Sequence, residues 1–249
     1  MISGTIKAEK FVNGLMPVTG LVDECVIDVN ESGWKISAVD KAQIGLVSVE
    51  ILDDLFMSYD CSACSIGVKN AKLVRVLELF SEYNSRMTVN TDESLSTLIL
   101  DNGELEYEMD LLKSDLVDTN KEMPELETYC SISLDSSEFS RIASGATTVS
   151  DLISFKYRSS GEFVVVSEDE SADFTYEVGS GEGEVLQTAS SMYRSDYIDT
   201  ITNTAPGDVE LNIMFSDSYP FELQFSFEDE NIDVKYIVAP RIDSSGGEQ

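Results

Sequence analysis

Apolar and polar residues alternate one for one along much of the chain. Leu105, Tyr107, Met109 and Leu111 are separated by Glu106, Glu108 and Asp110, and Phe221, Leu223, Phe225 and Phe227 by Glu222, Gln224 and Ser226. A strand turns successive side chains to opposite faces, so each stretch predicts a strand with one buried face. The same period recurs over residues 25–29, 47–51, 174–178, 209–215 and 232–238. Four stretches follow the helical period instead: 9–16, 71–80 with Leu73, Leu77 and Phe80 on one stripe, 137–144 behind the cap-rich DSS, and 195–203. The pattern predicts an α+β chain dominated by strands, with few and short helices.

The pattern also repeats. Displacing the chain by 128 residues sets Phe11 on Phe139, Leu21 on Val149, Asp23 on Asp151, Ile27 on Phe155, Val29 on Tyr157 and Gly33 on Gly161, without a gap. Both copies read as a short helix followed by a hairpin. A shift of 127 then sets Leu105, Tyr107, Met109 and Leu111 on Ile232, Val234, Tyr236 and Val238. Two similar domains are expected, over residues 1–115 and 128–243. The charged, turn-rich stretch 116–127, which holds Pro124, connects them, and 244–249 form a flexible tail.

Composition sets the surroundings. Asp and Glu number 47 against 16 Lys and Arg, a formal charge of -31, and histidine is absent. Such self-repulsion loosens a fold in dilute buffer, whereas at ~1 M salt the Debye length is about 3 Å and like charges scarcely interact. A salt-accumulating cytoplasm is the natural setting. With 42% hydrophobic residues, eleven Phe and ten Tyr, the chain carries enough apolar material for a packed core rather than a disordered acidic coil. No apolar run approaches the ~18 residues that span a bilayer, and MISGTIKAEK lacks the organisation of a signal peptide, so an intracellular protein with no membrane partner is expected.

The same composition argues against most catalysis. Without histidine there is no Ser-His-Asp or Cys-His arrangement and no imidazole base. Paired carboxylates occur everywhere by abundance alone and read as a solvated face. Cys61 and Cys64 form a C-x-x-C, but no second pair and no histidine completes a zinc site with Cys25 and Cys130, so reduced thiols and no metal or cofactor are expected. The stretch GSGEGE at 179–184 has glutamates that repel phosphate and no lysine after it, and reads as a loop tip.

One feature resists the acidic background: an apolar, proline-stiffened YIVAPRI at 236–242, just before a polar tail. Two alike halves, a connector containing EMPELE and this terminal segment together resemble the archaeal and eukaryotic DNA sliding clamps, the proliferating cell nuclear antigen family. The likeness extends to LVDECVIDVNESGWKISAVDKAQIGLVSVEI at 21–51 and SEFSRIA at 137–143, and so covers nearly the whole chain. The acidic composition points to a haloarchaeon or one of its viruses.

The resemblance implies a ring-shaped homotrimer of six such domains, helices inward and mostly antiparallel sheets outward, that encircles double-stranded DNA without reading its sequence. It implies a processivity factor, not an enzyme, that tethers replicative DNA polymerase, clamp loader, flap endonuclease and DNA ligase through short helical motifs. The partner-peptide pocket would take Val39, Gln43, Ile44 and Leu46 from one loop, Leu116, Val117, Met123 and Pro124 from the connector, then Tyr219, Pro220, Ala239, Pro240, Arg241 and Ile242. Subunits would join through Leu105, Tyr107, Met109 and Leu111 on one edge and Phe174, Tyr176 and Val178 on the other. Lys10, Lys69, Lys72, Arg75 and Arg141 would face the DNA channel.

Two departures from the family stand out. Asp118 and Lys121 occupy connector positions where relatives often carry apolar groups, and Asn13, Thr19, Glu78, Ser144, Thr148 and Asn203 stand where relatives often carry cations. A weak electrostatic grip on DNA is expected, with retention left to topology. An acidic binding module of another kind, such as a nucleic-acid mimic, is the alternative; it would not need the repeat and the terminal segment together.

Overall fold

The computed structural model describes residues 1–82, 86–118, 121–159, 161–178 and 188–242. The stretch 179–184 and the tail 244–249 lie outside the described residues. The chain divides into two compact units. The first comprises Met1–Met123 with Ser226–Lys235, and the second Pro124–Phe225 with Tyr236–Gln249.

In the first unit the order is β1 (Ile2–Lys7), α1 (Ala8–Thr19), β2 (Glu24–Asn30), β3 (Gly33–Val39), β4 (Gly45–Leu52), β5 (Ser58–Cys61), β6 (Cys64–Lys69), α2 (Asn70–Ser81), β7 (Arg86–Thr91), β8 (Thr97–Asp101) and β9 (Glu106–Asp110). One antiparallel sheet runs β5-β1-β7-β8-β9, which leaves β9 as an edge. Another runs β4-β3-β2-β6, again antiparallel. Phe11, Leu15 and Val18 of α1 and Leu73, Leu77 and Phe80 of α2 are buried, and the two helices pack side by side. Phe11 meets the edge of Trp34 at 4.9 Å between ring centres. Gly33 ends the β2–β3 turn at φ 126°, and a Cβ there would lie 2.0 Å from the Ile51 carbonyl oxygen, so only glycine fits.

The rest of the chain repeats this plan: β10 (Cys130–Asp135), α3 (Ser136–Thr147), β11 (Leu152–Tyr157), β12 (Phe163–Glu168), β13 (Asp173–Val178), β14 (Ala189–Arg194), α4 (Ser195–Thr204), β15 (Glu210–Phe215), β16 (Phe221–Phe227) and β17 (Ile232–Val238), with residues 226–235 of the last two strands and their turn counted in the first unit. Its sheets run β10-β15-β16-β17 and β13-β12-β11-β14, so β13 is an edge. Phe155 lies at the centre of the core, with Phe163, Tyr193 and Phe221 rings at 5.5, 5.2 and 5.7 Å.

The repeat read in the sequence appears in equivalent detail. Phe11 and Phe139 are both fully buried, and Ile27 and Phe155 likewise. Gly33 and Gly161 both have positive φ. The Asp23 carbonyl accepts the Asn70 N–H at 2.9 Å where α2 begins, and the Asp151 carbonyl accepts the Ser195 N–H at 3.0 Å where α4 begins. The four expected helices are present, each extended by one to three residues at an end. Leu105 lies just before β9, and of the alternating set only Met109 is fully buried, because an edge strand has a neighbour on one side alone.

Candidate functional site

In the first unit the loop between β3 and β4 is organised by one buried carboxylate. Asp40 accepts N–H bonds from Ala42 (2.9 Å), Ile44 (2.8 Å) and Gly45 (2.7 Å), and Gln43 takes a left-handed φ of 57° to let the chain turn back. Those bonds hold the loop as a rigid rim. The connector begins with a 3-10 turn, Ser114–Leu116. It is stitched to β3 by the Lys121 N–H donating to the Ser37 carbonyl at 3.3 Å and by the Ser37 hydroxyl donating to the Lys121 carbonyl.

Between rim and connector lies a cavity of about 800 Å³ whose wall includes Val39, Gln43, Leu116, Val117, Asp118 and Lys121. Val117 is buried and anchors the connector, whereas Leu116 is 75% exposed. A large apolar side chain held out in solvent on a tethered backbone is available to a partner. Of the residues singled out from sequence, Val39, Gln43, Leu116 and Val117 meet at this cavity, while Ile44, Leu46 and Met123 are half-buried elsewhere in the unit.

In the second unit β14 organises the other half of the set. The Tyr219 carbonyl accepts the Tyr193 hydroxyl at 2.8 Å and the Ser191 hydroxyl at 3.1 Å, and burial pushes the Tyr193 phenol above its ordinary range. The Met192 carbonyl accepts the Arg241 N–H at 2.7 Å, which fixes the terminal segment to the same strand that holds Tyr219. Pro220, Ala239 and Pro240 are half-buried, and Pro124 is exposed. Ile242 is 76% exposed, a second apolar side chain presented on a fixed backbone.

The candidate channel cations are not equivalent. Lys69, Lys72 and Arg75 gather at the start of α2 around a depression of about 510 Å³ shared with Leu79 and Tyr107, and the Lys72 ammonium sits 5.9 Å from the centre of the Tyr107 ring. Arg141 is exposed on α3. Lys10 on α1 is engaged by Glu228 at 2.9 Å. Leu79, 49% exposed beside Tyr107, was not singled out from sequence; its signal is an apolar residue next to, rather than on, the buried stripe of α2.

The two sheet edges carry the candidate subunit contacts. On β13 the Tyr176 hydroxyl donates to Glu138 of α3 at 2.9 Å, and that carboxylate raises the phenol's pKa. The Phe174 ring lies over Gly145, where an added Cβ would come within 2.5 Å of the ring. Val178 ends the strand half-buried. On β9 Tyr107 and nearby Leu111 are half-buried, Leu105 is exposed and Met109 points into the core.

Comparison with known proteins agrees with this architecture. Residues 9–122 match the model of the proliferating cell nuclear antigen N-terminal domain. The DNA polymerase sliding clamps of Natronomonas pharaonis and Haloarcula marismortui are 27% and 28% identical over 247 residues, covering 98% of this chain and 100% of theirs. Among solved structures, A. fulgidus PCNA bound to the C-terminal region of FEN-1 superposes with a TM-score of 0.88 at 26% identity, over 98% of this chain and 100% of that one. The duplicated fold, the matched N-terminal domain and end-to-end similarity to haloarchaeal clamps together support a DNA polymerase sliding clamp of the proliferating cell nuclear antigen family.

Proposed function

We propose that three copies of this chain close into a ring around duplex DNA and act as a processivity factor. The observation that carries this reading is the pair of unlike exposed edges, β9 in the first unit and β13 in the second. An exposed edge invites pairing with another chain, and joining two different edges is a heterologous contact that closes by rotation. Six similarly folded units would then surround the DNA.

The proposed partners are replicative polymerase, clamp loader, flap endonuclease and ligase, each bringing a short helical motif. The A. fulgidus relative carries the C-terminal region of FEN-1. For this chain we assign Leu116 and the cavity wall under the connector, and separately Tyr219, Pro220 and the 239–242 segment, as contacts for such a motif. Tethering turns rebinding of an enzyme at the primer end into an intramolecular event at high effective concentration. No chemistry is assigned to the protein itself, in keeping with a sequence that has no histidine. Its working place is the cytoplasm of a salt-accumulating cell, whether the chain is cellular or virus-encoded.

The test is primer extension on a long singly primed template in concentrated KCl, with polymerase and loader from a haloarchaeon. Product length is expected to rise with this protein and to fall back when a FEN-1 C-terminal peptide competes. Product length indifferent to the protein would overturn the reading.

A further inference from the structure

The turn joining β16 to β17 is unusual in its backbone. Glu228, Asp229 and Glu230 all lie in the left-handed region, at φ 55°, 57° and 65°, and none is glycine. Such residues adopt that conformation at a cost and persist where surrounding contacts demand it. Here the contacts are visible. The Asn231 carbonyl accepts the Leu52 N–H at 2.9 Å, and the Asn231 side chain donates back to the Glu228 carbonyl at 3.0 Å. The Glu228 carboxylate reaches α1, where one oxygen lies 2.9 Å from the Lys10 ammonium and the other accepts from the Asn13 amide at 3.2 Å.

Lys10 and Asn13 are three residues apart and so share one face of α1. Their bond lengths place Glu228 on that face, the one assigned above to the DNA channel. Gly14 keeps the helix close to β4 and to β17, which follows the turn, since a Cβ there would lie 2.6 Å from Ile51 and 3.5 Å from Ile232. The ion pair is partly shielded, with side-chain exposures of 29% for Lys10 and 22% for Glu228. A cation held so closely by a carboxylate has its charge answered within the protein and releases few counterions on meeting phosphate.

We propose that Glu228 is a positioning residue that withholds Lys10 from the DNA backbone, so that the clamp's grip is set lower than its count of channel cations suggests. This rests on the sliding-clamp reading. The strained turn is then the device that carries a carboxylate from a distant part of the chain to the channel face of α1. A chain with few cations on its helices keeps one of them occupied, which favours free sliding over adhesion.

The experiment measures binding to a fluorescent duplex over a KCl series at concentrations where light scattering shows the assembly intact. Each phosphate neutralised contributes about 0.9 to the slope of log affinity against log salt. Glu228→Gln, which keeps a hydrogen-bond acceptor for Asn13 but loses the charge, is expected to steepen the slope by about 0.9 for each lysine freed, and by up to about 2.7 for three copies. Glu228→Asp, shortened by one methylene, should fall between and serves if the amide variant does not fold. The slope lost on Lys10→Ala should be larger in the Glu228→Gln background than in the native chain, which a merely structural role for Glu228 would not produce. Asp229→Asn, a neighbouring acid of the same turn, should not reproduce the Glu228→Gln effect. An unchanged slope, or an equal increase when Lys10 is already alanine, overturns the proposal. Failure of native and variant proteins alike to stay on circular DNA would instead overturn the clamp reading.

Discussion

Ile242→Ala tests the terminal segment as a partner contact, and its magnitude follows from exposure. The side chain is 76% exposed, so most of its apolar surface remains to be covered by a ligand. Truncation removes three carbons worth about 0.8 kcal/mol each on full burial, and scaling by the exposed share leaves about 1.5–2 kcal/mol. That is roughly a 10- to 30-fold weaker Kd, at 1.4 kcal/mol per tenfold. The native fold gives up little, because the residue adds almost nothing to the core, and the thermal midpoint should move by no more than a surface substitution does. Titration calorimetry with a FEN-1 C-terminal peptide, paired with a melting curve, separates the two effects. An unchanged Kd would show that the partner does not cover Ile242. A Tm loss as large as the binding loss would show that the segment is structural.

Absolute mass by light scattering in concentrated KCl should give about 82 kDa, three copies of the 27.4 kDa chain, and smaller species in dilute salt where 47 acids against 16 bases repel; a single copy at every salt concentration would count against the ring. Gly145→Ala drives a Cβ to within 2.5 Å of the Phe174 ring, so the β13 edge should shift and the assembly weaken while the separate chain still melts cooperatively; undiminished assembly would show that Phe174 yields without moving the edge. Asp135 caps α3 by accepting from the Ser137 N–H, and bonds from Ser137, aided by Arg141, hold its carboxyl below the usual carboxylate range. Its folded pKa is depressed, so the stabilisation is complete above the ordinary carboxylate pKa of about 3.9 and is lost as pH falls through the lower folded value. Asp135→Asn should flatten that acid limb of a Tm-against-pH curve, and an unaltered limb would remove the assignment.

The helices and the duplication were legible because they rest on local spacing. Leu73, Leu77 and Phe80 announce α2, and the paired glycines 33 and 161 mark the same turn twice. Helix starts were less legible, since Lys7, Lys69 and Arg194 precede their helices without a side-chain cap, and only Asp135 supplies one. The alternation over 105–111 announces a strand but not its edge position, which depends on what lies beside it. Alternation across β16 and β17 is equally blind to where their connecting turn packs, and residues 226–235 group with the first unit. The Glu228–Lys10 pair joins residues 218 positions apart, with Asn13 and Glu228 215 apart, and no pattern along the chain encodes such a meeting. In the candidate site, the apolar character of Leu116 and Ile242 was visible in the sequence. The Asp40 bonds that stiffen the neighbouring rim were not, because any of 47 acids looks alike until its N–H partners are known.

If the protein holds DNA by encirclement, its retention depends on the topology of the DNA. The protein, labelled and placed on nicked circular DNA by a clamp loader in concentrated KCl, is passed through a sizing column before and after a restriction enzyme opens the circle. Co-elution with the intact circle and loss once the DNA is linear are expected, since contact energy alone is small and only closure prevents escape. Equal retention on circular and linear DNA, or loss from both, would contradict encirclement.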